Sequence, residues 1–275
     1  GLVISQDSLN SGTYTVPDIL EFMANNGGDY TSAEFTNLKA SIGWGESTLN
    51  RGILPNRGYS QSLSLQSTIP AASDLEFYKL NYNAQHFTPT SKQTALRLHT
   101  ELGYGDGFGD TDGLPFYENY FAGGINSVRG FRNGSLGPQA VASLAFPLIS
   151  RDPFTPPNYD PVNGYFLCNP VTGICTDPDQ DSQPFGGNVL ITGGVDFLFP
   201  LPFIKDQSSL RTTLFVDAGN VFSTNCTQFS VDCKSPDLGD LAVSTGFGLT
   251  WITAMGPLGF AIAMPIKEPD NSDPQ

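Results

Sequence analysis

The strongest constraint in this sequence is an alternation of apolar and polar residues that recurs along almost the whole chain. Between Gln61 and Ile69, for example, Leu63 and Leu65 alternate with serine and glutamine. A period of two residues is typical of β-strands. Segments of this kind predict about nine strands, near Gly1–Ser8, Phe35–Trp44, Gln61–Ile69, Tyr78–Gln85, Leu96–Tyr104, Val189–Phe199, Leu210–Ala218, Val243–Trp251 and Leu258–Ile266.

Composition excludes several classes of protein. The 13 Lys and Arg against 27 Asp and Glu give a net charge of −14, which argues against a nucleic-acid partner. Charged residues make up 15% of the chain, below the roughly 25% of soluble domains. Aromatic residues reach 12%, too many for a disordered chain. No run of 18 apolar residues occurs, so we predict no membrane-spanning helix.

The lengths of the connections between strands favour a membrane β-barrel. The short connections are Thr48–Gly58, Thr88–Lys92, Pro200–Ser208 and Ala254–Pro257, and the long ones are Asn10–Ala33, Gly107–Gly187 and Ser223–Gly239. They largely alternate, and the short Pro70–Asp74 is the exception among the long ones. Outer-membrane barrels have short turns at one end and long loops at the other. A soluble β-sandwich also alternates in sequence and stays open as an alternative.

The polar faces of the predicted strands fit either a solvated sheet surface or an occupied interior, and a row of glycines favours the second. They carry Lys79, Arg97, His99, Glu101, Asp196, Arg211 and Asp217. Four glycines, at positions 103, 105, 107 and 109, share one face. Glycine in a strand often marks the close approach of other groups, so we expect a part of the chain to lie against this face.

The four cysteines form two local pairs in the long loops. Cys168 with Cys175 and Cys226 with Cys233 predict two disulfides, which would place these loops in an oxidising compartment. A zinc site is the alternative, but this spacing matches no common zinc pattern.

No set of residues predicts catalysis, a metal site or a cofactor. Asp177, Asp179 and Asp181 have the first spacings of a calcium loop, but Ser182 and Asn188 replace its glycine and glutamate, which favours a solvated acidic loop. The two histidines, His86 and His99, have no nucleophile in the pattern around them.

Several motifs resemble the BamA family of outer-membrane β-barrel assembly proteins. They are the segments 115–124, 136–138, 215–219 and 255–258, and the signature Val128-Arg129-Gly130-Phe131. The resemblance implies a sixteen-stranded transmembrane barrel, preceded by POTRA domains, that inserts proteins into the bacterial outer membrane without chemistry. It also implies that the signature loop folds into the lumen, where acidic wall residues hold its arginine. By motif, these acids are Asp196 and Asp217.

The alternation places Asp196 and Asp217 on the same face of neighbouring strands. A turn centred near residues 206 and 207 would set them directly opposite one another, where two carboxylates repel. We therefore expect the Arg129 guanidinium to bridge them, since its donors suit two carboxylates. Two hydrated acids in a water-filled lumen are the alternative.

We interpret residues 1–275 as a partial barrel domain with a long inserted loop at about 107–187, lacking the POTRA domains and the terminal strands. The implied partners are unfolded β-barrel clients, outer-membrane lipid and accessory lipoproteins that bind POTRA domains. The two strand edges of the partial barrel predict edge-to-edge association between copies or disorder at the ends. Alternative functions are a related translocase or secretion factor, and a passive pore or adhesin barrel.

Overall fold

The computed structural model describes residues 1–10, 14–28, 32–140, 143–144, 167–168, 175–176, 183–201, 209–225, 230–231, 234–269, 272 and 274. Its long strands are β1 (Leu2–Asn10), β2 (Ser32–Ser47), β3 (Gly58–Ser73), β4 (Phe77–Pro89), β5 (Ala95–Gly107), β6 (Val189–Phe199), β7 (Leu210–Phe222), β8 (Ala242–Thr253) and β9 (Gly256–Lys267). The predicted all-β fold with nine strands is confirmed, and several strands are longer than the alternation indicated.

These nine strands form one antiparallel sheet in which each strand pairs with its neighbours in the sequence. The sheet is open, with β1 and β9 at its edges. Because the order is sequential, the short connections before β3, β5, β7 and β9 lie at one end of the sheet. The predicted segregation of loop length is therefore present, and the short connection between β3 and β4, at the other end, is the predicted exception.

The two faces of the sheet differ in the way that a membrane barrel requires. The outer face, defined by Trp44, Leu65, Leu98, Leu214 and Ile262, carries large apolar side chains that stay exposed. Their exposed fractions run from 41% for Leu65 to 79% for Ile262. A soluble β-sandwich buries its apolar face against a second sheet. The described strands therefore do not form the sandwich that periodicity left open.

The packed core lies on the other side of the sheet, which we call the inner face. Part of it is formed by the helix α1 (Pro17–Asn25), whose Leu20 and Met23 are buried against Phe35 and Phe77 of β2 and β4. The connection predicted at Asn10–Ala33 contains this helix, which the alternation did not predict. Its signals were a proline in the first turn, followed by Asp18, and apolar residues three positions apart.

Short elements complete the described ranges. Two 3₁₀ turns span Phe116–Glu118 and Leu238–Asp240, and two-residue strands lie at Tyr14–Thr15, Gln139–Ala140, Ser143–Leu144, Leu167–Cys168, Cys175–Thr176, Gln183–Pro184 and Ser230–Val231. Among the residues described, no helix is both long and apolar enough to cross a membrane.

Neighbouring positions on β3 test which face meets lipid. Leu65→Lys places a charge on the outer face and is expected to lower the free energy of unfolding by about 2–4 kcal/mol. Ser64→Lys, the matched control, places the same charge on the exposed inner face of the same strand and is expected to change it little. Urea unfolding in liposomes measures both values. Equal costs at the two positions would contradict the assignment of the faces.

Candidate functional site

Part of the long connection between β5 and β6 lies against the inner face. We call residues 114–140 the inner segment. Its backbone is fixed by Tyr120, which exchanges two hydrogen bonds with Gly187 at 2.8 and 3.1 Å, and by Leu136, which donates to the carbonyl of Ala122 at 3.0 Å. Tyr120, Ala122 and Leu136 are buried in the same cluster as Leu190 of β6. The segment thus forms the inner layer of the core.

The glycines of β5 make room for this layer. A Cβ at position 103 would lie 2.7 Å from the ring of Tyr120, and a Cβ at position 105 would lie 2.9 Å from the side chain of Leu114. Both distances are shorter than van der Waals contact, so a larger residue would displace the segment. The expectation that part of the chain approaches this row of glycines agrees with these contacts.

The signature residues Val128 and Phe131 place Arg129 on the sheet. Both apolar side chains are fully buried in the cluster that joins the inner segment to β6, β7 and β8. Between them, Gly130 has a φ of +92°, and a Cβ there would lie 3.1 Å from the Cβ of Ala263 on β9. A side chain is therefore disfavoured at position 130 by both backbone conformation and space.

Arg129 is held by two carboxylates of the sheet. Its Nε donates to Oδ2 of Asp217 at 2.6 Å, and its Nη2 donates to Oδ1 of Asp217 at 2.8 Å and Oδ1 of Asp196 at 2.7 Å. Its backbone N–H donates to Asp217 at 3.1 Å. The guanidinium also lies 3.5 Å from the ring centroid of Phe215. The arginine is thus fixed by charge, by directed donors and by an aromatic face.

The register of β6 and β7 differs from the one expected. Asp196 pairs with Phe215, and Asp217 pairs with Gly194, so the two carboxylates are diagonal neighbours rather than directly opposed. The prediction of an opposed pair was wrong by two residues. Diagonal neighbours have Cα atoms about 7–8 Å apart, which leaves room for one guanidinium between the carboxylates.

Two residues of β5 complete the site and were not assigned a role from the sequence. Arg97 donates through Nη1 to Oδ2 of Asp196 at 2.9 Å, and Nε2 of His99 lies 3.7 Å from a carboxylate oxygen of both Asp196 and Asp217. The alternation had placed Arg97 and His99 on the correct face. Their proximity to Asp196 follows from the pairing of β5 with β6, which the alternation does not specify.

Possible metal ligands are present in this cluster. The ligand atoms of His99, Asp196 and Asp217 lie within 4.8 Å of one another. However, the carboxylates already accept hydrogen bonds from Arg97 and Arg129. The positive charges of two guanidinium groups balance the negative charges of two carboxylates. We therefore assign to this cluster the role of holding the inner segment, not that of binding a metal cation.

The cysteines are only partly covered by the described residues. The backbones of Cys168 and Cys175 occupy paired positions on two short antiparallel strands. Cys226 and Cys233 lie outside the described residues, as do Asp177, Asp179 and Asp181. The two disulfides stay a prediction.

A sheet that exposes apolar side chains on its outer face and packs its core on the inner one defines a class, the transmembrane β-barrels of the bacterial outer membrane. A model of the Omp85 superfamily domain matches residues 1–275, and the chain belongs to that superfamily.

Two relatives support this assignment. Outer membrane protein assembly factor BamA of Neisseria meningitidis serogroup B is 28% identical over 98% of this chain. The crystal structure of BamA from Haemophilus ducreyi lacking POTRA domains 1–3 covers all of this chain with a TM-score of 0.76 and 25% identity. The chain spans 32% of the first relative and 48% of the second. The sheet is accordingly a partial barrel, and its inner face lines the lumen.

Asp217 accepts more hydrogen bonds from Arg129 than Asp196 does, which predicts that substitution of Asp217 destabilises the protein more. Asp217→Asn weakens most of the contacts of Arg129 and is expected to cost about 3–5 kcal/mol. Asp196→Asn leaves the Asp217 contacts in place and is expected to cost about 1–3 kcal/mol. Thermal unfolding in detergent, followed by the shift between folded and unfolded mobility in gel electrophoresis, measures the order. A larger loss for Asp196→Asn would contradict the geometry.

Proposed function

We propose that this protein takes part in the insertion and assembly of β-barrel proteins in the bacterial outer membrane. Membership of the Omp85 superfamily and similarity to two proteins named BamA support the proposal. The observation that carries it is the set of hydrogen bonds from Arg129, in the Val-Arg-Gly-Phe signature of the inner segment, to Asp196 and Asp217. A segment fixed on the inner face by ion pairs holds the lumen in one arrangement while the outer face contacts lipid.

The proposed activity involves no chemical reaction. The driving free energy comes from the folding of the client and from perturbation of the surrounding lipid, and no nucleotide or other cofactor takes part. The proposed partners are unfolded outer-membrane β-barrel clients, outer-membrane lipid, and accessory lipoproteins that bind POTRA domains. Residues 1–275 would serve as a partial barrel domain in this process. Edge-to-edge association of isolated copies of this domain through β1 and β9 stays a prediction.

The inner segment also bears on the alternative functions. A passive pore needs an open lumen, whereas Tyr120, Ala122, Val128, Phe131 and Leu136 pack against the inner face. This packing favours an assembly role over passive conduction. A translocase or secretion factor of the same superfamily is the second candidate, since it shares the barrel family.

Substitution of Arg129 tests the proposed function. We expect Arg129→Ala in the intact protein to reduce the yield of folded client at least tenfold, because about 3–5 kcal/mol of anchoring is lost. The measurement is the insertion of a denatured β-barrel client into liposomes that contain the purified protein. Arg57→Ala, which removes an exposed arginine of the turn between β2 and β3, is the matched control and is expected to keep full yield.

Two results would contradict the proposal. One is an unchanged yield for Arg129→Ala, with the variant folded and its inner segment displaced. The other is that liposomes with the unsubstituted protein insert no more client than empty liposomes.

A further inference from the structure

A second ion cluster lies on the inner face, away from Arg129. Glu118 ends the 3₁₀ turn of the inner segment, and its Oε1 accepts a hydrogen bond from Nζ of Lys39 at 2.6 Å. Its Oε2 accepts from Nζ of Lys79 at 3.0 Å, and Lys79 also donates to the backbone carbonyl of Glu118 at 2.7 Å. The three side chains are 11%, 16% and 17% exposed for Lys39, Lys79 and Glu118. This cluster is therefore largely removed from solvent.

The two lysines belong to different strands of the sheet. Lys39 lies on β2 and pairs with Thr68 of β3, whereas Lys79 lies on β4 and pairs with Gln66 of β3. Strands two positions apart are separated by about 10 Å. A single carboxylate of the inner segment thus ties β2 to β4 across the strand between them.

Aromatic rings and charge reinforce the cluster. Nζ of Lys39 lies 5.3 Å from the ring centroid of Phe77, and Nζ of Lys79 lies 4.8 Å from that of Tyr120. Burial opposes ionisation of Glu118, but the hydrogen bond from Lys39 and the charge of Lys79 outweigh it and hold its pKa below the usual value. The carboxylate is therefore charged at neutral pH and suited to two cations.

The inner segment is consequently attached at two places with opposite polarity. Glu118 pairs with Lys39 of β2 and Lys79 of β4, and Arg129 pairs with Asp196 of β6 and Asp217 of β7. Between these two ion clusters, the ring of Tyr120 lies against Gly103 of β5. If the segment lay in the reverse direction, Glu118 would face carboxylates and Arg129 would face lysines. Like charges brought together in this way are strongly disfavoured.

We infer that Glu118 is a second anchor of the inner segment, a positioning residue that fixes residues 116–120 over β2–β4 and sets the direction of the segment across the lumen. Lys39 and Lys79 are its partners on the inner face of the sheet. The location of this anchor is independent of the proposed function, whereas its effect on client assembly rests on that function.

Hydrogen exchange of the intact protein in lipid nanodiscs tests the anchor. Glu118→Lys places three cations together and is expected to raise exchange of the backbone amides of residues 116–122 about tenfold. Lys39→Glu combined with Glu118→Lys restores one opposite pair and is expected to recover at least half of the lost protection. Glu101→Gln is the matched control, because Glu101 lies on the same face, is exposed and forms no ion pair with a described residue. It is expected to leave exchange unchanged.

Each outcome decides the inference. Increased exchange in Glu118→Lys that the double variant reverses supports the anchor, because general misfolding would not be rescued by a second charge change. Unchanged exchange in Glu118→Lys overturns it, and so does an increase that the double variant fails to reverse.

Client insertion by the same variants separates this inference from the proposed function. If Arg129→Ala abolishes insertion and Glu118→Lys does not reduce it, the effect of Glu118 on client assembly is overturned, and the exchange data decide whether Glu118 anchors the segment. If neither variant affects insertion, the proposed function fails, and the exchange data still decide where the anchor is.

Discussion

The structure depends on one constraint, which is that the apolar face of the sheet is turned outward. Side chains such as Ile42, Leu214 and Ile262 are more than half exposed on the outer face, so the hydrophobic effect there acts between the protein and lipid. Within the described residues no second sheet covers this outer face, and the buried core forms on the inner face. The inner segment and α1 each contribute residues to that core, which explains why Val128 and Phe131 of a connection are fully buried.

The polar inner face then determines how the segment is held. Apolar contacts have little directional preference, so they alone do not fix the orientation of the inner segment. The inner face of the sheet also carries charged side chains. Arg129 on Asp196 and Asp217, at one end, and Glu118 on Lys39 and Lys79, at the other, provide directed bonds of opposite sign. Because each ion is largely buried, loss of one partner leaves an uncompensated charge, which is costly. The segment therefore has one favoured arrangement rather than many.

The sequence predicted what depends on local pattern and missed what depends on pairing between distant residues. A period of two residues predicted the nine strands and the face of each, and a motif connected Arg129 with Asp196 and Asp217. The offset between those acids depends on the connection from residue 200 to residue 209, whose conformation alternation does not specify. The helix α1 was missed because it is short, with 9 residues, and lies among loop-like segments. The bond between Lys39 and Glu118 joins residues 79 positions apart, and no local pattern indicates it.

The two tryptophans of this chain allow the most direct test of the outward-facing sheet. Trp44 and Trp251 both lie on the outer face and are 54% and 48% exposed. The measurement is fluorescence quenching in liposomes of brominated lipid, using intact protein in which these are the only tryptophans. The account predicts that brominated acyl chains quench both residues and that iodide in the water quenches neither. Strong quenching by iodide with none by brominated lipid would contradict it.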